Sequence, residues 1–155
     1  MSTQVTVPSS ASIPRPSMNR AGRATVGLLV LLGLMALAGG IALVAKPDGS
    51  VMHLPTSYLD GSPFPDFLIP GLILGTLFGV GSFVVAVMAL RAWRIAPFLA
   101  FAFGCGQMIW ITVELAIIKE VSFLHPLCFA IGLAIALVSV RWGWPTYQAW
   151  RNACG

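Results

Sequence analysis

Glu114 is the residue of this 155-residue chain best placed to do chemistry. It lies in an otherwise uncharged apolar run, Ile95 to Ile118, about one turn from the end of that run. A carboxylate at such a depth in a bilayer is costly, and it normally faces the interior of a helix bundle or a wet cavity. Gln107, seven residues earlier, falls only about 20° away on a helical wheel, with Trp110 and Ile111 close by. Glu114 and Gln107 therefore form a polar stripe, and the chemistry open to it is holding a proton or a cation. The competing reading is that Glu114 snorkels to the interface or pairs with Lys119.

His53, Asp60, Asp66, Glu120 and His125 are the other groups able to ligate a cation, and all belong near the same end of the chain's spans as Glu114. Imidazole and carboxylate suit zinc or a similar borderline ion. Their spacing matches no metal-ligand pattern, so no metal is expected: His125 reads as hydrogen-bonded at a helix start and His53 as solvated. Cys105, Cys128 and Cys154 stand at different depths, too far apart for a bridge that requires Cα atoms within about 7 Å. A Cys-x-x-Cys pair, a phosphate-binding glycine loop, a nucleophile elbow and a haem-attachment motif are all missing from the sequence. Neither a cofactor nor an enzymatic reaction is expected.

These side chains must be positioned by helices inside a membrane. The chain is 57% hydrophobic and 9% charged, with mean hydropathy +0.88, against about 25% charged in a typical soluble domain. Three cysteines cannot staple a secreted core of this size. Four segments reach the roughly 20 residues that cross a bilayer: about 24–45, 67–90, 95–118 and 123–142. Within hydrocarbon each backbone polar group is paired inside its own segment, so all four are helices. The expected fold is all-α, an integral membrane antiparallel four-helix bundle over residues 24–142. Pro70, Pro97 and Pro126 stand in opening turns, where a missing N–H costs nothing. Asp66-Phe-Leu-Ile-Pro70 and Ser122-Phe-Leu-His-Pro126 solve the same capping problem alike, without further sign of a duplication.

Charge sets the threading. Arg15, Arg20, Arg23, Arg91, Arg94, Arg141 and Arg151 fall on one side; Lys46, Asp48, Asp60, Asp66, Lys119 and Glu120 fall on the other. The positive-inside rule then puts both termini in the cytoplasm. The net charge of +4 and pI of about 9.4 report this topology and contact with anionic headgroups, so no nucleic-acid partner is expected. Residues 1–23 read as a disordered cytoplasmic tail. Ala36-Leu-Ala38 before Gly39 imitates a signal-peptidase site, but the run continues to Ala45 and reads as a retained anchor. Residues 46–66, with four prolines and the turn signals Asp48-Gly49 and Asp60-Gly61, read as an ordered external loop capping the first two helices. Residues 143–155 read as a cytoplasmic aromatic tail, in which Trp144, Tyr147 and Trp150 join Trp142 in an interfacial belt.

Gly71, Gly75 and Gly79 form a small-residue ridge on the second span, and Gly33, Gly39 and Gly40 form one on the first. Such ridges pack the bundle itself or grip another helix, in a homo-oligomer or a larger membrane complex. The stretch Ser62-Pro-Phe-Pro-Asp-Phe-Leu-Ile-Pro-Gly-Leu-Ile-Leu74 resembles a segment of small uncharacterised four-span bacterial membrane proteins. That resemblance implies a bacterial plasma membrane and carries no activity. The expected function is a non-enzymatic accessory or interaction protein that uses its glycine faces; the alternative is a small oligomeric transporter or proton-coupled conduit that uses Glu114.

Overall fold

The computed structural model describes residues 15–118 and 123–154. Four helices long and apolar enough to cross a membrane account for most of them, and no strand occurs among the described residues. Helix one spans Arg20–Ala45, helix two Leu68–Leu90, helix three Ala96–Ile118 and helix four Leu124–Cys154. Helix one lies beside two and four, helix three beside four and two, and the one–three diagonal barely touches. The chain is thus an antiparallel ring of four, as the short connections require. No more than a third of any span is buried. The outward residues, among them Leu34, Ile41, Leu77, Ile109 and Leu137, are of the type lipid covers.

Helix one starts four residues ahead of its apolar run because Asn19 caps it. The Asn19 side chain accepts a hydrogen bond from the Gly22 N–H at 2.9 Å, satisfying one of the four donors a helix start leaves open. The expected tail of 1–23 is therefore helical from Arg20, and its first fourteen residues lie outside the described residues.

The loop between helices one and two is a compact cap. Asp48 Oδ1 accepts from the Ser50 N–H and Oγ–H at 3.1 and 2.8 Å. Gly49 follows at φ +74°, where a side chain would collide with the Leu54 carbonyl, a position suited to glycine. The Phe67 N–H donates to the Pro47 carbonyl at 2.9 Å and ties the loop's two ends together. Two short 3₁₀ turns, Ser50–Met52 and Thr56–Leu59, complete it. Leu59 and Phe67 then bury themselves with Leu43 of helix one, flanked by Leu54, Tyr58, Phe64, Leu74 and Ile117.

Helix two is not uniform. Its middle, Leu74–Val80, is π-helical, and the Gly81 N–H donates to the Thr76 carbonyl five residues back. Wide turns of this kind are rare and gather at functional sites. Below it, Leu29, Leu32, Val85, Ala86, Ala100, Ile131 and Ile135 fill the bundle centre.

Two expectations about the C-terminal region change. The fourth helix does not stop near 142 but continues to Cys154, with Pro145 inside it. At about 1.5 Å per residue its 31 residues outrun a hydrocarbon core of about 30 Å. Trp142 is not in an interfacial belt either. It is 1% exposed, packed with Ala89 and Ala96 and flanked by Ala21, Val26 and Met88, and its Nε1–H donates to the Ser17 carbonyl at 3.0 Å. The exposed pair Trp144 and Tyr147 does pack ring to ring, with centroids 5.9 Å apart. The Trp150 side chain lies outside the described residues.

Candidate functional site

Beneath the loop, the four helices part around a cavity of about 370 Å³. Helix three supplies Gln107, Trp110, Ile111 and Glu114; helix four supplies His125 and Cys128; the loop supplies His53 and Tyr58. A smaller cavity of about 80 Å³ adjoins it, and Trp110, Glu114 and Ile118 form walls of both. The larger volume falls at the lower end of the range for small-molecule sites, about 300–1,000 Å³.

The polar stripe read from helical spacing lies on this cavity. Gln107 is 2% exposed, and its Oε1 is buried without a hydrogen-bond partner. Against it stands Gly132 of helix four, where an added Cβ would meet the Gln107 Cγ at 3.2 Å. A buried amide acceptor left unpaired costs about 1–3 kcal/mol, so a donor from a guest molecule would be rewarded here. Glu114 is half-buried, about two helical turns or roughly 10 Å further along the axis. It lies within charge-interaction range of His125 and Cys128. Lys119, its alternative partner, lies outside the described residues. Most of the remaining wall is apolar, including Leu32, Met35, Ala36 and Leu74.

The other candidates divide. His53 and His125 reach the cavity, whereas Asp60 and Asp66 do not; the Asp66 carboxylate accepts from the Leu68 N–H at 2.9 Å and starts helix two. Glu120 lies outside the described residues. Among the described residues no group of three or more His, Cys, Asp and Glu could hold a metal ion. Cys105 and Cys128 are free thiols, and only Cys128 lines the cavity.

The glycines face one another inside the chain. A Cβ on Gly40 would meet the Gly75 Cα at 2.6 Å and the Gly71 carbonyl oxygen at 2.9 Å. Gly71 packs on Leu43, Gly79 on Leu37, Gly33 on Phe83 and, less tightly, Gly39 on Leu74. Both ridges are thus spent on the seam between helices one and two, which leaves neither free to grip a foreign helix. A second seam escaped sequence reasoning: a Cβ on Gly104 would meet the Gly132 carbonyl oxygen at 2.6 Å. Its signal was available as small residues at four-residue spacing, Ala100-x-x-x-Gly104 facing Gly132-x-x-x-Ala136. Tyr58 was missed as a wall residue because loop residues carry no periodicity from which to read a facing direction.

Toward the opposite end the bundle is closed, first by the central apolar cluster and then by Trp142 with Ala89 and Ala96. The cavity is therefore a chamber sealed on one side, its described wall carrying one carboxylate, two imidazoles and one orphaned amide oxygen among mostly apolar residues. Comparison with protein-family models, curated proteins and solved structures found no match to this chain.

Proposed function

We propose that the chain is a multi-pass plasma-membrane protein with both termini cytoplasmic, working as a small-molecule carrier whose outward-facing chamber holds the solute. The observation that carries this reading is the cavity itself, with Glu114 and the unpaired Gln107 amide on its wall. Seven arginines at the end opposite the loop support the threading. In this reading the packed cluster below the chamber corresponds to an outward-facing form, and release on the other side requires the seal around Trp142 to loosen. An accessory role through glycine faces is less well supported, because those faces are occupied within the chain.

Accessibility tests the proposal. A membrane-impermeant maleimide applied to intact cells is expected to modify Cys128, with Cys128→Ser as the blank. A His53→Cys variant should react from outside, and an Arg94→Cys variant only after permeabilisation. Reaction of His53→Cys with Cys128 inert would remove the open chamber. Reaction of Arg94→Cys from outside would overturn the threading.

A further inference from the structure

We infer that the chamber selects an elongated organic monocation, a primary amine with an apolar body and a hydrogen-bond donor at its far end. This inference rests on the chamber's being a binding site and adds the chemistry of its ligand. Four features of the wall lead to it.

The first is charge. Among the described residues Glu114 is the only carboxylate on the cavity wall and no lysine or arginine joins it; His53 and His125 share the wall, His125 within charge-interaction range of Glu114. A carboxylate whose described neighbours include no permanent cation favours a positive guest, and an anionic guest would be repelled. The second is that the guest must be organic. A bare inorganic cation needs oxygen ligands to replace its water shell. Here, among the described residues, no group of three or more His, Cys, Asp and Glu could hold a metal ion, and the rest of the wall, with Leu32, Met35, Ala36, Leu74 and Ile111, suits hydrocarbon.

The third is the aromatic lining. Trp110 and Tyr58 border the same space as Glu114, and aromatic faces attract ammonium groups held near a carboxylate. The fourth feature fixes the far end. Gln107 is buried about two turns from Glu114, and its Oε1 has no partner. It is neutral, so it suits a hydroxyl or amide N–H better than a second charge. The one carboxylate on the described wall balances one ammonium, which makes the guest a monocation. Its ammonium pairs with Glu114, its chain lies along the apolar wall, and its distal donor reaches Gln107.

Calorimetric titration of the detergent-purified chain tests this with hexylamine, aminohexanol, hexanol and hexanoate as probes. Both amines should bind, aminohexanol more tightly than hexylamine. The Glu114→Gln variant should weaken both amines by roughly tenfold to a hundredfold, the span expected for a charge-assisted hydrogen bond. Gln107→Leu should erase the advantage of aminohexanol and leave hexylamine unchanged. Aminohexanol should also slow maleimide modification of Cys128 in the unaltered chain, a readout that depends on no variant folding.

Hexanol or hexanoate binding as tightly as the amines would overturn the cation assignment and leave the chamber standing as a binding site. Equal binding of the two amines to the unaltered chain would overturn the role of Gln107. Failure of all four probes to bind or to protect Cys128 would overturn both the ligand and the binding site beneath it.

Discussion

The two ends of the bundle use the same four helices in opposite ways. At the arginine-rich end, small residues bring the helices together and one large ring fills what is left: Ala89, Ala96 and Gly143 close around Pro97 and Trp142. At the loop end, the larger residues of helices three and four stand apart, and the loop roofs the gap without filling it. Lipid supplies no hydrophobic drive between helices, so association depends on dispersion contacts and close approach. An empty volume at one end therefore represents contact energy forgone. It is retained at the end that carries Glu114 and the unpaired Gln107 amide, whereas Thr25 and Ser139, buried at the packed end, spend their hydroxyls on carbonyls of their own helices.

The largest test of this division is Trp142→Ala. Removing a fully buried indole should cost about 3–5 kcal/mol, read as a lower unfolding midpoint in detergent. A loss below about 1 kcal/mol would erase the contrast between the ends. Next is an asymmetry across the glycine seam. Gly40→Ala drives a methyl into the Gly75 backbone, whereas a Cβ on Gly75 sits at an ordinary 3.6 Å from the Gly40 Cα. Overpacking should make Gly40→Ala destabilising by about 1–3 kcal/mol, while Gly75→Ala should stay within about 0.5 kcal/mol. Equal effects would mean that the seam is looser than its geometry.

Cys128→Leu sharpens the other side of the comparison. The added methylenes enter the chamber, so stability should change by about 0.5 kcal/mol or less, while amine binding falls. A large stability loss would show the chamber to be filled by packing. The smallest effect belongs to the loop. Hydrogen bonds from the Ser50 N–H and Oγ–H, aided by the Lys46 charge, hold the Asp48 carboxyl below its ordinary pKa of 3.8. A lowered folded-state value stabilises the loop fully above that ordinary value and is lost as pH falls through the lowered one. The protection factor of the Ser50 amide, taken against its intrinsic exchange rate at each pH, should accordingly fall under acid, and Asp48→Asn should abolish that fall.

Much of this was legible because membrane burial simplifies the code. Apolar runs of the right length gave the four helices, and the short connections after Leu90 and Ile118 made neighbours antiparallel. The Gln107–Glu114 stripe followed from a seven-residue spacing alone. What escaped depends on contacts far apart in sequence. The Ser17–Trp142 hydrogen bond joins residues 125 apart, so a tryptophan that looked interfacial is a core residue. Pro145, a residue type that normally ends or kinks a helix, lies inside helix four. Whether a glycine ridge faces its own chain or another is set by neighbour placement, which periodicity does not encode. The chamber is likewise a property of four surfaces together, and each of its walls read separately as ordinary span.

The wide turn at Leu74–Val80 lets helix two take up one residue of surplus length. A regular helix rotates its face by about 100° with each residue, and a turn bonded five residues back holds one residue more than the α-helical repeat. Because the wide turn takes up that surplus, the half of the helix that meets Gly40 and the half that carries Ser82, Val85, Ala86 and Ala89 inward keep the phase of a regular helix one residue shorter. Deleting a single residue between 74 and 80 would let the segment rewind as α-helix with both inner faces still aligned, whereas a deletion in the regular winding after Gly81 would swing the face beyond it by about 100°. Helix two thus tolerates the loss of a residue at the wide turn and not a few residues further on.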